Sequence, residues 1–347
     1  MKNNTEYRNI WVWMETEHGY TQKVGFELLE KAKILAAEKN CEVVAVIIGN
    51  DTKQAVKDVA AYGADQMIVV EDPVYEYYST DAFKITMVKL IREYMPETVL
   101  IGATDNGRDL APRIACCLGT GLTADCTEIG IDEKTGCIAW TRPTFGGNLM
   151  ATIICPDRRP QMGTVRPGVF KAGRYKKERI KKILQDEKKI IRKNALVEKN
   201  EIRTELIQRV KEVTESVDLE EAEIIVAGGK GIGNKEGFDE LKSFADAIGG
   251  KIACSRAVVE AGWLPQNYQI GQSGKTVTPK IYFAVGISGA IQHLAGIAGA
   301  DKVIAVNSDP DAAIFQRADY GIIGDYKEVL PVLKAELQNK NFIESIE

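Results

Sequence analysis

Residues 279–307 read PKIYFAVGISGAIQHLAGIAGADKVIAVN and contain His293, one of only two histidines in the chain. The pattern predicts an apolar strand over Ile281–Val285, a glycine-bearing turn over Gly286–Gly289, a helix opening at Ser288 and a second strand over Lys302–Val306. A turn of this kind leaves backbone N–H groups converging on one spot with a helix dipole behind them, which is chemistry suited to phosphate or pyrophosphate. Gln292 and His293 fall about one turn in, where a polar group can meet whatever the phosphates carry.

Two further loops belong with it. Gly228, Gly229, Gly231 and Gly233 follow an apolar strand at 223–229 and precede a helix, although their spacing is not GxGxxG and packing alone would also explain them. Ala253-Cys254-Ser255-Arg256 leads towards Gly271-Gln272-Ser273-Gly274-Lys275, a polar loop just before the strand that opens the phosphate turn. In a doubly wound sheet such loops share one crevice at the carboxyl ends of neighbouring strands. A ligand with phosphates at one end and a hydrogen-bonding aromatic head at the other, a dinucleotide, fits that set.

The elements that must position these loops are α/β throughout. Strands are expected at 9–15, 42–49, 66–71 and 98–103, alternating with helices at 23–38, 52–62, 79–94 and 106–118, so the N-terminal half predicts a parallel sheet covered on both faces. Residues 122–166 change to alternating strands with turns, expected as antiparallel additions to that same sheet. The basic stretch 171–193 is expected to be a solvated linker, since it lacks aromatic interleaving for base stacking and acidic residues flank it. The expected organisation is an N-terminal nucleotide-binding-like α/β domain over 1–200 ending in that linker, a doubly wound parallel-sheet domain over 201–330, and a helical tail over 331–347.

The 347 residues are enough for two cores, and a net charge of −4 gives the whole chain no electrostatic footprint for nucleic acid. No apolar run has the length of a membrane span, and the opening MKNNTEYRNIWVWME resembles neither a signal nor a transit peptide, so a cytoplasmic location is expected. Seven cysteines without a CxxC pair read as reduced thiols; Cys116, Cys117 and Cys126 are a conceivable metal trio, with small core residues as the plainer reading.

The stretch IYFAVGISGAIQHLAGIAGADKVIAVN, flanked by SRAVVEAGWLPQNYQIGQSGK and DPDAAIFQRADYGIIGD, resembles the signature of the electron transfer flavoprotein alpha subunit, and the N-terminal half from YRNIWVWME is similar to it too. The resemblance implies FAD in the C-terminal domain, an electron transfer flavoprotein beta subunit as partner, and electron exchange with an acyl-CoA dehydrogenase or similar flavin dehydrogenase. By position it places Ser255 and Arg256 beside the flavin ring. The loop Ile270, Gly271, Gln272 and Ser273 reaches the isoalloxazine, with the Ser273 hydroxyl facing N5. Ser288, Gly289, Ala290, Ile291, Gln292 and His293 form the phosphate turn and flavin-facing helix start, with His293 near the N1/C2=O edge. Asn307 and Asp325, with the adjacent Tyr326, fall at the adenosine portion. Lys230 stands where many relatives have arginine, and Ser273 where many have threonine.

Plainer readings accompany these roles: Arg256 as a surface ion-pair partner, Asp325 as a loop-capping carboxylate, and His293 as a structural histidine. The resemblance leaves open whether the complex only relays electrons or bifurcates them, with NADH reducing a second FAD in the beta subunit and ferredoxin taking one electron. Two readings outside the resemblance are a self-sufficient NAD-dependent dehydrogenase, which the lack of a clean GxGxxG disfavours, and a nucleotide-binding regulatory module.

Overall fold

The computed structural model describes residues 6–144, 149–204, 206–207, 219 and 222–339. The chain separates into two units, Met1–Val210 and Lys211–Glu347.

The first unit is built around a seven-stranded sheet. Its strands are β1 (Arg8–Met14), β4 (Val43–Gly49), β5 (Gln66–Glu71), β6 (Pro96–Gly102), β7 (Leu122–Cys126), β11 (Gln161–Val165) and β12 (Ile190–Lys193), in the order β12-β5-β4-β1-β6-β11-β7 and parallel throughout. A two-stranded ribbon, β2 (Thr16–Glu17) with β3 (Tyr20–Thr21), follows β1. The period of two within β1 divides the core: Ile10, Val12 and Met14 face α1 (Lys23–Lys39) and α2 (Lys53–Tyr62), whereas Trp11 and Trp13 face α3 (Thr80–Tyr94) and α4 (Asp105–Leu118). Because both faces are covered, β4 is buried at every residue.

Two expectations are corrected here. First, the strands between 122 and 166 do not all join the main sheet. β8 (Glu128–Ile131), β9 (Ile138–Thr144) and β10 (Leu149–Ile153) form their own antiparallel sheet, while β7 and β11 extend the main sheet in parallel. Trp140 of β9 lies against Gly163 of β11, where a Cβ would fall 2.2 Å from the indole. The glycine lets the small sheet pack flat on the large one. Second, the basic stretch is not a linker. Its α5 (Lys177–Leu184) lies beside α2, with the Arg179 guanidinium donating to the Tyr62 carbonyl, and β12 completes the sheet edge beside β5. Ile180, Ile183, Ile190 and Ile191, spaced among the lysines, pack against the two cores and leave the charges outward. The chain then continues over α3, where Arg203 pairs with the buried Asp81 carboxylate. The first unit therefore runs past residue 200.

The second unit has five parallel strands, β13 (Ile224–Gly228), β14 (Lys251–Cys254), β15 (Ile281–Val285), β16 (Lys302–Asn307) and β17 (Tyr320–Ile323), ordered β14-β13-β15-β16-β17. The chain steps outward from β13 to β14, then crosses back to β15, so the strand order reverses between β13 and β15. One face carries α6 (Gly237–Ala247) and α9 (Tyr326–Asn339), packed on Val226, Phe283, Val285 and Val306. The other buries Ile225, Tyr282, Ala284 and Val303 with Ile287 and Ile297. The tail expected at 331–347 begins instead at Tyr326 and belongs to this unit's core through Tyr326 and Leu330; its residues 340–347 lie outside the described ones. Among the described residues no helix is long and apolar enough to cross a membrane.

Candidate functional site

All but one of the loops singled out in the second unit leave the carboxyl ends of its strands; the exception, 270–273, precedes β15 and is tied to the end of β14. Lys230 follows β13; Ser255 and Arg256 follow β14, where α7 (Arg256–Glu260) begins; Ser288 to His293 follow β15; Asn307 ends β16; Asp325 and Tyr326 follow β17. The topology thus gathers residues spread over nearly a hundred positions along one sheet edge, beside the point where strand order reverses.

The turn after β15 supplies the donors. Among the described residues, the N–H groups of Ser288, Gly289, Ala290, Ile291 and Gln292 meet no acceptor, and four of these residues are exposed. The expected helix from Ser288 is shorter than the pattern suggested: α8 spans only Ile291–Leu294. One helical turn adds little macrodipole, so what this turn can offer an anion is its set of free N–H groups. Gly289 is left-handed, and a Cβ there would lie 2.2 Å from the Ile314 nitrogen, so only glycine brings the turn this close to its neighbour.

The glycines after β13 seat this turn. Gly229 donates to the Val285 carbonyl at 2.8 Å and Gly231 to the Gly286 carbonyl at 3.0 Å, and a Cβ on Gly229 would fall 2.1 Å from that second carbonyl. Packing is therefore what Gly228, Gly229 and Gly231 do. Lys230 projects from the same turn and is exposed. The buried Tyr326 hydroxyl donates to the Ile232 carbonyl, so Tyr326 braces the turn from the core side.

The loop 269–275 is fastened to the end of β14 and to α8. Ile270 donates to the Cys254 carbonyl at 2.9 Å, Lys275 to the Gln269 carbonyl at 2.8 Å, and Gln272 to the Gln292 carbonyl at 2.7 Å. Ser273 Oγ accepts from Gln269 Nε2 at 3.0 Å, which leaves the hydroxyl's own proton free to be donated outward. Both Gln272 and Ser273 are exposed.

His293 is turned inward. Its Nδ1 lies 3.1 Å from the Ile270 carbonyl and its Nε2 2.9 Å from the Tyr282 hydroxyl, and burial pulls its pKa down to about 4, only partly opposed by the bond to Ile270. Both ring nitrogens are thus engaged within the chain and the imidazole is neutral at physiological pH. Arg256 pairs with Glu260 one turn on, with most of its side chain in solvent. Asn307 donates to the Ile287 carbonyl and accepts from the Asp309 N–H, which ties the phosphate turn to the loop after β16. Asp325 accepts from the Lys327 N–H at the start of α9, the capping geometry of an aspartate at a helix entry.

Gln269 and Tyr282 act on this site and carried no signal in the sequence. Tyr282 occupies an inward position of an apolar strand, indistinguishable by pattern from core, and Gln269 lies in a loop whose conformation only the β14 edge fixes. Elsewhere, Cys126 is buried whereas Cys116 and Cys117 are exposed, so the plainer core reading holds for Cys126 alone; no group of three metal-ligating side chains occurs among the described residues.

The five free N–H groups, the glycine-seated turns and the outward hydroxyl fit a dinucleotide carrying a hydrogen-bonding ring. Comparisons with known proteins agree. Residues 10–196 match the family described as the electron transfer flavoprotein domain, and residues 218–298 the electron transfer flavoprotein FAD-binding domain. The chain is 49% identical to an electron transfer flavoprotein subunit alpha of Thermoanaerobacterium thermosaccharolyticum, over 96% of this chain and 98% of the relative. It is 46% identical to one of Megasphaera elsdenii, over 97% and 98%. An acryloyl-CoA reductase electron transfer subunit beta of Anaerotignum propionicum is 41% identical over 94% and 95%.

Proposed function

The chain belongs to the electron transfer flavoprotein alpha-subunit family and binds FAD, and from that premise we propose that it works beside an electron transfer flavoprotein beta subunit to exchange electrons with a CoA-linked flavin dehydrogenase or reductase. The observation that carries the choice of partner is the 41% identity, over nearly the full length of both chains, with a subunit named for acryloyl-CoA reductase. Bound FAD supplies one- and two-electron redox chemistry; the chain's residues bind and orient it.

In this reading the N–H groups of Ser288 to Gln292 hold the diphosphate, and Lys230 adds positive charge. Ser273 offers its hydroxyl proton to the ring, aimed by Gln269. Arg256 places a guanidinium at the sheet edge, where positive charge favours electron uptake by the ring. Ser255, Ile270, Gly271 and Gln272 shape the ring's berth, while Asn307, Asp325 and Tyr326 set the loops on the adenosine side.

A finer reading is electron bifurcation. NADH would deliver a hydride to a second FAD in the beta subunit, one electron going on to ferredoxin and the other to the alpha-subunit site. The opening YRNIWVWME, similar to forms from anaerobic bacteria, favours it. Purifying the chain with its beta partner and counting bound cofactors tests both levels. Two FAD per heterodimer supports bifurcation, one FAD with AMP leaves the relay alone, and a heterodimer that takes up no flavin overturns the whole reading.

A further inference from the structure

Tyr282 is fully buried on β15, a strand flanked on both sides in the five-stranded sheet, so its hydroxyl is set by the most constrained part of the unit. That hydroxyl lies 2.9 Å from His293 Nε2, and His293 Nδ1 lies 3.1 Å from the Ile270 carbonyl. A carbonyl can only accept, so Nδ1 must bear the ring hydrogen; Nε2 is then an acceptor, and Tyr282 must donate to it. The chain of donors runs in one direction, from the sheet's interior to the loop that carries Gln272 and Ser273.

We propose that Tyr282 is a positioning residue for the Ile270–Ser273 loop, acting through His293: the Ile270 carbonyl selects the tautomer, and the Tyr282 hydroxyl, donating to Nε2, fixes the imidazole where its Nδ1 hydrogen meets that carbonyl. The adjacent residue makes the second attachment, because the Gln292 carbonyl accepts the Gln272 N–H at 2.7 Å. One helical turn thereby grips the loop at two neighbouring carbonyl and N–H groups. The fit between them has no slack, since a Cβ on Gly296 would fall 2.5 Å from the Gly271 nitrogen. Without the Tyr282 hydroxyl, Nε2 is a buried acceptor lacking a donor. Moving the ring hydrogen to Nε2 would leave it without an acceptor and set a bare Nδ1 lone pair against the Ile270 carbonyl, so the tautomer stays and the ring loses the bond that holds its orientation. Burial keeps the imidazole neutral at physiological pH, so double protonation does not override the choice of tautomer.

The proposal rests on the flavin-site reading above, and its test separates the two. The alpha chain, labelled with 15N-histidine, is assembled with unlabelled beta partner and FAD. With only two histidines in the chain, His18→Gln assigns the signals. The expected result is a protonated Nδ1 and a lone-pair Nε2 for His293. In Tyr282→Phe the tautomer stays, the Nε2 shift moves because its hydrogen bond is gone, and FAD release quickens by about two- to tenfold. If that variant does not fold, 3-fluorotyrosine introduced at position 282 keeps the shape, makes the hydroxyl more acidic and must move the Nε2 shift. Protonated Nε2 in the unmodified protein, an unmoved shift with fluorotyrosine, or a Tyr282→Phe protein with unchanged FAD release would each overturn the proposal. A heterodimer with the expected tautomer but no uptake of FAD overturns the flavin-site reading instead.

Discussion

The Gln292 carbonyl accepts the Gln272 N–H at 2.7 Å, and Gly271, between that bond and the Ile270 anchor, is held at a φ of +141°, where a Cβ would press against that carbonyl. The loop 269–275 and the turn after β15 are therefore one fastened piece.

Gly271→Ala breaks that fastening, because its Cβ would lie 3.0 Å from the Gln292 carbonyl in a backbone region that L-residues rarely adopt. We expect a cost of about 1–3 kcal/mol, read as FAD affinity roughly ten- to a hundredfold weaker at little change in secondary structure. Isothermal titration of FAD into deflavinated heterodimer checks it.

Gln269→Met removes the donor that aims the Ser273 hydroxyl while preserving much of the buried volume. Its expected effect on the bound flavin has the direction and roughly the size of Ser273→Ala, and the double variant adds little to either, since the two side chains act as a unit. Ser273→Thr keeps the hydroxyl and is expected to stay near the parent. Flavin midpoint potentials of these four variants and the parent decide it.

Arg256→Ala separates electrostatics from stability. The Arg256–Glu260 pair is exposed and one helical turn long, worth at most about 0.5 kcal/mol, so thermal unfolding is expected to shift hardly at all. The midpoint potential of the bound flavin is expected to fall, because a positive charge that favours electron uptake is gone. An unchanged potential leaves Arg256 as a surface ion-pair partner.

Acid should loosen the second unit through His293. Its folded pKa, about 4, lies below its ordinary value of 6.5, so the unfolded chain binds the proton more readily. The stabilisation from keeping the ring neutral is complete above pH 6.5 and declines as pH falls towards 4, by about 3 kcal/mol in all. His293→Gln flattens that slope in denaturant titrations across the window, whatever it does to absolute stability.

Asp81→Asn should free the segment that closes the first unit. The Arg203 guanidinium makes two hydrogen bonds to Asp81, a third comes from the Arg203 N–H, and these hold the carboxyl well below the usual range. Loss of the charge is expected to hasten tryptic cleavage at Lys199 and Arg203, with the sheet itself intact by circular dichroism.

The sequence by itself determined the parallel α/β character of both halves, because apolar runs such as Val43–Gly49 and Ile281–Val285 are buried on both faces and read as continuous hydrophobic strands. It also singled out, by their glycines and polar residues, the loops that are proposed to face the ligand. Only the tertiary structure decided where the alternating strands of 122–166 and the basic stretch belong. Strand pairing depends on which edge is free, and Ile190 and Ile191 look no different in a linker from what they are beside β5. The same holds for His293: its place in the motif was legible, but the direction of its ring depends on Tyr282 and Ile270, brought together from eleven and twenty-three residues away by the sheet. A one-dimensional pattern records which side chains are buried or polar; what each donates to or accepts from is fixed only when distant segments meet.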